Sequence, residues 1–291
     1  APLMPKPRYG ILERRLRAVG GAGLDMMRQT ATVQVNLDYS SEVDAMRKLR
    51  LGLMLHPIVV ALYANSALVN NGWSSMMSRR AEIWETTAPL RTDLSDVFYE
   101  PNAKFSDYVQ WSLKAPMLFI HREGQYVDCS GVRFEDFMRD GFSSHHATIG
   151  DYALHLSTLF PDVRLKKFIE IRGADMGDRS QVLSLPALFK GLFYHEAALD
   201  ALDELFESVD ATAARSAAKQ AARHGLSGTL MSRPLLEWAE RVLEIASEGI
   251  QALEPSALCH LEALLPSARL RQQRALDAEM TPSALLEATG L

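Results

Sequence analysis

Polar and apolar side chains alternate strictly between residues 28 and 38, where the chain reads RQTATVQVNLD. Neighbouring side chains of a β-strand point to opposite faces, so this segment predicts a strand with one apolar and one polar face. The polar face would carry Thr32, Gln34, Asn36 and Asp38. Because the apolar face must pack on a core, the fold must contain a sheet whose other face presents polar side chains that can bind or react with a ligand.

A second segment with the same period lies far along the chain, at KKFIEIRG, residues 166–173. One face of this strand would carry Lys166, Phe168, Glu170 and Arg172. Strands with matched polarity are expected to pair through a common sheet. We therefore predict that strands 28–38 and 166–173 lie in one sheet, with Gln34, Glu170 and Arg172 facing the same concavity.

Helical patterns separate these strands. A helix capped by Ser40 or Ser41 should run to about Ser66 with a kink at Pro57, and shorter helices are predicted near residues 104–114, 132–139 and 149–159. Residues 115–131 are typical of a hairpin that turns at Glu123 and Gly124. Long connections between distant strands favour an α+β fold over alternating βαβ units.

Beyond about Leu183 the pattern is almost wholly helical. Helix starts are predicted at Ser232 with Pro234 and at Thr281 with Pro282, and the Ala-rich stretch Asp210–Gly225 should be a helix ended by its glycine. We therefore divide the chain into residues 1–200, a sheet-bearing part, and residues 201–291, a helical part that packs on it and contributes little chemistry.

The charge balance excludes some partners. A net charge of -5 and a pI near 5.9 argue against a nucleic-acid or anionic membrane surface, which would require clustered Lys and Arg. The longest apolar run, residues 51–64, is shorter than the ~18 residues of a spanning helix. The two cysteines, Cys129 and Cys259, suit a reduced compartment, and we expect a cytoplasmic location.

Glu170 and Arg172 are the most informative pair of chemical groups. A carboxylate and a guanidinium two residues apart on one strand face can hold a magnesium ion and an ATP phosphate side by side. The alternative is an ordinary ion pair on an exposed sheet face. Likewise Arg28, Gln34 and Asn36 either bind an amino-acid carboxylate or belong to a solvent-facing strand.

Arginines also cluster in the segment MSRRAEIWETTAPLRTD, which contains Arg79, Arg80 and Arg91. A solvated surface cluster is the simplest explanation, but Trp84 among them indicates packing against something fixed. The histidines near residues 145–155 do not have the ligand spacing of a metal site.

Taken in order, several segments resemble the plant-type glutamate-cysteine ligases, which also occur in many proteobacteria. The matching segments run over residues 4 to about 194 and are MPKPRY, GLDMMRQTATVQVNLDYSSE, ALYANS, RAEIW, APMLFI, YVDCSG, FPDVRLKKFIEIRGAD and LPALFKGLFY. The resemblance implies the antiparallel sheet of glutamine synthetase, curved around an active-site funnel and backed by helices. It also implies ATP-dependent formation of γ-glutamylcysteine from L-glutamate and L-cysteine through a γ-glutamyl phosphate, the first step of glutathione biosynthesis, with Mg²⁺ as cofactor.

The resemblance also implies roles for individual residues. Glu170 matches a magnesium ligand, Gln34 is a weaker ligand beside it, and Arg172 lies next to the transferred phosphate. Substrate-binding roles fall to Arg28, Arg80, Trp84, Thr87 and Arg91, and Asn36 joins them because of its place on the polar strand face. Among these, Arg28 and Arg80 match arginines suited to the glutamate carboxylate, whereas Trp84, Thr87 and Arg91 keep the spacing of residues that wall the amino-acid pockets.

The chain departs from the family at its start, because family members carry a further N-terminal region with acidic magnesium ligands. We therefore expect a fragment or one half of a split enzyme, completed by that N-terminal region or by a second copy of the chain. Two other functions stay open. One is a paralogue that transfers activated glutamate to another amine, and the other is a catalytically incompetent binding module.

Overall fold

The structure is a computed structural model that describes residues 4–69 and 72–280. It contains two compact units, each built from several stretches of chain. Unit 1 comprises the chain to Thr30, Ile83–Phe98 and Asn102–Pro161, and unit 2 comprises Ala31–Glu82, Tyr99–Pro101 and the chain from Asp162. These units divide the chain at other residues than the predicted domains, residues 1–200 and 201–291. The predicted domains remain a prediction.

Unit 1 combines short helices with one two-stranded hairpin. Its elements are α1 (Pro7–Val19), α2 (Gly23–Gln29), α5 (Pro89–Thr92), α6 (Phe105–Lys114), β4 (Phe119–Arg122), β5 (Gln125–Asp128), α7 (Phe134–Asp140) and α8 (Ile149–Leu156). Strand β4 pairs with β5 around a turn in which Glu123 and Gly124 both have positive φ, as a tight two-residue hairpin requires. The predicted hairpin and the three helices around it are thereby confirmed.

Unit 2 is mainly helical around one three-stranded sheet. Its helices are α3 (Glu42–Tyr63), α9 (Arg179–Phe193), α10 (Glu196–Leu205), α11 (Ala211–His224), α12 (Leu235–Leu253), α13 (Leu258–Glu262) and α14 (Leu264–Met280). Its strands are β1 (Val35–Leu37), β2 (Leu68–Val69), β3 (Gly72–Trp73), β6 (Val163–Leu165), β7 (Ile169–Ile171), β8 (Thr229–Leu230) and β9 (Arg233–Pro234). The chain passes between the units within α4 (Arg79–Glu85).

The central helix of unit 2 is α3. Its first turn is capped by the Ser41 hydroxyl, which accepts a hydrogen bond from the Asp44 amide at 3.2 Å, and Pro57 lies inside the helix. Most of its side chains are buried. At Gly52 the helix comes so close to the sheet that an added Cβ would lie 3.0 Å from Val163 and 3.2 Å from Ile171. This helix therefore backs the apolar face of the sheet, as the sequence predicted.

The three-stranded sheet has the order β1-β7-β6, with both pairs antiparallel. Asn36 lies opposite Glu170, and Glu170 lies opposite Arg164. Because the register brings polar residues into one row, the sheet has a continuous polar face opposite the face that packs on α3. Mixed helix and antiparallel sheet confirm the α+β class. No helix among residues 4–69 and 72–280 is long and apolar enough to cross a membrane.

Several predicted boundaries are wrong. Arg28 lies in the last turn of helix α2 instead of starting a strand, and β1 begins only at Val35. The segment predicted as one strand over residues 166–173 contains a turn, because Lys166 closes back on Phe168 before β7 begins. In the C-terminal part, Ser232 has a φ of 63° within a turn and does not cap α12. The predicted helix start at Thr281 and Pro282 lies outside the described residues.

Candidate active site

The polar face of the sheet brings the three residues of the predicted phosphate and metal site together. The guanidinium of Arg172 donates to the Gln34 side-chain oxygen at 3.2 Å and to Glu170 Oε2 at 3.0 Å. These contacts follow from the register, since Gln34 and Arg172 come directly beside the paired residues Val35 and Ile171. The prediction that the three side chains share one face of one sheet is confirmed, whereas their roles stay predictions.

Glu170 is surrounded by positive charge. Lys166 Nζ lies 3.0 Å from Oε1, while Arg164 at 3.3 Å and Arg172 at 3.0 Å both contact Oε2. Burial alone would raise the pKa of Glu170, but the bonds from Lys166 and Arg172 and the charges of both arginines outweigh it and lower the pKa below its usual range. The carboxylate is therefore ionised at neutral pH and serves as a shared counter-ion.

These residues do not fit a magnesium site by themselves. Both oxygens of Glu170 already accept from cations, and the amide oxygen of Gln34 accepts from Arg172. A hard divalent cation needs several oxygen ligands and avoids neighbouring positive charge. Across residues 4–69 and 72–280, no group of three or more His, Cys, Asp or Glu side chains could hold a metal ion.

Arg80, predicted to bind substrate, is buried beneath the end of β7. Its guanidinium donates to the main-chain carbonyls of Gly173 at 3.1 Å and Arg172 at 2.5 Å. Burial lowers the pKa of Arg80, an effect that the charge of buried Asp175 opposes. The Asp175 carboxylate in turn accepts hydrogen bonds from Ser66 and Ser78. In this arrangement Arg80 holds the backbone that carries Arg172.

Unit 1 brings together a second group of predicted residues, Trp84, Thr87 and Arg91, around one cavity of about 180 Å³. The cavity is almost wholly apolar. Its walls are formed by Leu12, Arg15, Leu16, Val19, Met26, Trp84, Thr87, Ala88, Pro89, Leu90, Arg91, Thr92, Pro116, Leu118 and Phe160. An engineered cavity of similar size in another protein holds benzene, so a small apolar group fits this space.

Two polar side chains of the cavity wall, Arg91 and Thr87, are hydrogen-bonded within unit 1. Arg91 is buried and donates to the main-chain carbonyls of Pro116 and Thr158. Burial, with the nearby charge of Arg15, lowers the pKa of Arg91 to about 9. The Thr87 hydroxyl donates to the carbonyl of Ile83 at 2.7 Å. These bonds fix the shape of the cavity and leave apolar surface facing its interior.

Arg28 and Asn36 are the remaining predicted residues. Arg28 belongs to unit 1, where its side chain is 39% exposed and pairs with Glu13 at 3.1 Å. Asn36 belongs to unit 2 and is exposed on the polar face beside Glu170. The predicted site residues therefore fall into two sets. Unit 1 holds Arg28, Trp84, Thr87 and Arg91, and unit 2 holds Gln34, Asn36, Arg80, Glu170 and Arg172.

Sequence reasoning missed Arg164 as a partner of Glu170. Arg164 lies on β6, which was not predicted as a separate strand. The missing signal was the turn after Leu165, because a hairpin that closes there brings Arg164 directly opposite Glu170. Asp175 was also missed, and its only signal was its place at the end of the segment IRGAD.

Comparisons with known proteins agree on one family. The sequence model of glutamate-cysteine ligase family 2 matches residues 1–278. The chloroplastic glutamate–cysteine ligase of Solanum lycopersicum is 38% identical over 253 residues, covering 86% of this chain and 48% of the relative. That of Brassica juncea is 39% identical over 258 residues, covering 86% and 49%. Ligase B of Oryza sativa subsp. japonica is 34% identical over 282 residues, covering 95% and 57%.

The names of these relatives contradict the expected cytoplasmic location. These relatives are described as chloroplastic proteins. The expectation was wrong because low cysteine usage indicates only a reducing compartment and does not tell one such compartment from another.

The chain spans about half the length of the curated relatives it matches. The match nevertheless covers most of the chain and includes both sets of site residues. The ordered segments that suggested the resemblance, from MPKPRY to LPALFKGLFY, all lie within it. This chain belongs to glutamate-cysteine ligase family 2.

Proposed function

We propose that the chain carries part of the catalytic machinery of a glutamate–cysteine ligase, the ATP-dependent enzyme that forms γ-glutamylcysteine in the first step of glutathione biosynthesis. Family membership supports the class of reaction. The observation that carries the proposal for this chain is the convergence of Arg172, Glu170 and Gln34 on the polar face of the sheet.

The proposed reaction has two steps. The γ-carboxylate of glutamate attacks the γ-phosphorus of ATP and releases ADP, and the amine of cysteine then attacks the acyl carbon, releasing phosphate and a proton. In the first step two anions must meet. The planar guanidinium of Arg172 would bind phosphate oxygens and stabilise the charge of the transferring group, because it is already held in place by Glu170.

The glutamine-synthetase-like form of the sheet is part of this proposal, supported by antiparallel pairing, a helix behind one face and a polar opposite face. Magnesium binding by Glu170 and Gln34 stays a prediction. It requires more metal ligands than the described residues supply. Stabilisation of the transferring phosphoryl group is therefore assigned to Arg172.

Support for the other substrate roles is uneven. Lining a common cavity supports Trp84, Thr87 and Arg91 as walls of an amino-acid pocket. The exposed ion pair of Arg28 with Glu13 is weak enough for a substrate carboxylate to compete with it. For Arg80, the bonds to two main-chain carbonyls favour positioning of Arg172 over a direct contact with glutamate.

The test is a turnover assay of the natural, full-length protein with ATP, glutamate and a panel of amines. We expect phosphate release that requires both glutamate and cysteine, together with a γ-glutamylcysteine product identified by mass. Phosphate release with glutamate but without preference for cysteine would reject the cysteine assignment. No turnover with any amine, in a protein shown to be folded, would favour a binding module.

The apolar cavity of unit 1 is the observation that favours the second candidate, a paralogue that transfers activated glutamate to another amine. Its lining offers a small amine an apolar surface, with Thr87 and Arg91 bonded elsewhere. Comparing cysteine with 2-aminobutyrate, which has the same shape and no thiol, separates the two functions. Equal kcat/KM values would favour the paralogue, and a strong preference for cysteine would favour the ligase.

A further inference from the structure

The cations around Glu170 outnumber the carboxylate they share. Arg164, Lys166 and Arg172 each form an ion pair with Glu170, and we call these four residues the basic cluster. Three positive charges and one negative charge are in direct contact within the basic cluster. A preformed group of cations of this kind attracts a polyanion, and phosphate oxygens are the best match for it.

Lys166 is more exposed to solvent than the other members of the basic cluster. The side chain of Lys166 is 34% exposed, compared with 6% for Arg164, 10% for Arg172 and 9% for Glu170. Lysine also carries its charge on a flexible stem of four carbons, whereas the planar arginines have fixed directions of donation. Lys166 is therefore the cation of the cluster with the greatest freedom to reach an incoming ligand.

The two carboxylate oxygens of Glu170 have different partners, and this difference also points to Lys166. Lys166 contacts Oε1 of Glu170, whereas both arginines contact Oε2. If the ammonium group of Lys166 leaves, Glu170 still has two charged partners and keeps its position. Lys166 is the solvent-facing partner of this ion pair, so exchanging its carboxylate partner for another anion costs little free energy.

We propose that Lys166 is a further phosphate-binding residue of this site. When the polyphosphate chain of a nucleotide lies on the polar face of the sheet, the ammonium of Lys166 moves from Glu170 Oε1 to a phosphate oxygen, while Arg164 and Arg172 continue to hold Oε2. The exchange makes and breaks no covalent bond. The proposal rests on the proposed function, because it takes a nucleotide as the polyanion.

The test is calorimetric titration of the chain with inorganic tripolyphosphate, and with ATP, at low ionic strength and without metal. Lys166→Met is compared with Lys167→Met, which removes the same charge from the next, exposed residue of the same turn. We expect the Kd for tripolyphosphate to rise about tenfold in Lys166→Met, as for loss of one charge-assisted hydrogen bond, and less than twofold in Lys167→Met. Lys166→Arg, which keeps the charge, should recover most of the affinity.

Equal weakening by Lys166→Met and Lys167→Met would overturn the proposal, since it would show only a general effect of net charge. Absence of saturable binding by the wild-type chain would also overturn it. Circular dichroism confirms that each variant is folded, which is expected because both lysines are exposed at the surface.

The proposal and the ligase function fail in different ways. Tripolyphosphate binding that depends on Lys166, without glutamate-dependent ATP consumption by the full-length protein, would reject the ligase and retain the anion site. Normal ligase turnover with an unchanged KM for ATP in Lys166→Met would retain the ligase and reject the role of Lys166.

Discussion

At Arg172 one guanidinium group bonds to both a carboxylate and an amide on the same sheet face. If this group stabilises the transferring phosphoryl group, its interaction must strengthen as charge develops in the transition state. We expect Arg172→Ala to lower kcat by about 10²-fold or more with a smaller change in the KM for glutamate. Arg172→Lys should recover little, because an ammonium cannot match two phosphate oxygens.

Arg28→Ala is the matched comparison, measured by the same steady-state kinetics in the full-length protein. If Arg28 binds the glutamate carboxylate, its removal should raise the KM for glutamate and leave kcat nearly unchanged. The Arg172→Ala variant should still fold, since Glu170 keeps its ion pairs with Arg164 and Lys166. A near-normal kcat in that variant would reduce Arg172 to a structural partner of the sheet.

His155 predicts a pH dependence of stability. It is buried in unit 1, its Nε2 lies 2.8 Å from the carbonyl of Ser112, and Nδ1 is buried with no hydrogen-bond partner. Burial, opposed in part by the bond to Ser112, lowers the pKa of His155 from 6.5 to about 4. Between these values the unfolded chain binds more protons than the folded chain, so stability falls as the pH is lowered from 6.5 to 4.

The slope from this one group should approach about 1.4 kcal/mol per pH unit. Chemical denaturation of wild type and His155→Gln at several pH values isolates it, because other titrating groups contribute equally to both proteins. The wild type should lose more unfolding free energy than the variant on acidification. Parallel pH profiles of the two proteins would contradict a buried, neutral His155.

At the scale of elements, helices α9 and α12 pack with their backbones in close contact. A Cβ added at Gly191 would lie 2.2 Å from the carbonyl oxygen of Ala246, and one at Gly249 would lie 2.1 Å from the oxygen of Gly191. These contacts involve backbone atoms, which cannot move without displacing a helix. We expect Gly191→Ala to lower the unfolding free energy by about 3 kcal/mol, as overpacking does elsewhere.

Gly150→Ala is the control for this prediction. The nearest atom to its added Cβ is Thr148 Oγ1 at 3.6 Å, and the residue lies in the first turn of α8. Its stability should change by less than about 1 kcal/mol. Thermal or denaturant unfolding of the two variants decides the matter, and equal stabilities would contradict the close helix crossing.

For the molecule as a whole, the charges predict how it responds to metal. The basic cluster repels a free divalent cation, and the described residues contain no group of three metal-binding side chains. Titration of the 291-residue chain with Mn²⁺ in the absence of nucleotide should therefore show no saturable site in the micromolar range, and EDTA should not change its Tm. A tight site for Mn²⁺ alone would contradict this prediction.

Local patterns in the sequence determined most of the elements. Period-two alternation located the sheet and its polar face, Ser41 marked the start of α3, and the Glu123–Gly124 turn marked the hairpin. These signals depend on residues close together in the chain, where side-chain direction and capping follow directly from backbone geometry. The polar face with Gln34, Glu170 and Arg172 could be predicted for the same reason.

Tertiary structure decided which charges meet. The sequence by itself could pair Glu170 with Arg172 on one strand. Only the hairpin of β6 and β7 adds Arg164 as a third cation beside the predicted metal ligand. Arg80 likewise became a buried support of the backbone, and Arg91 a buried part of a cavity wall. An arginine has the same sequence signature in each setting, and only the folded chain determines whether carboxylates, carbonyls or solvent surround it.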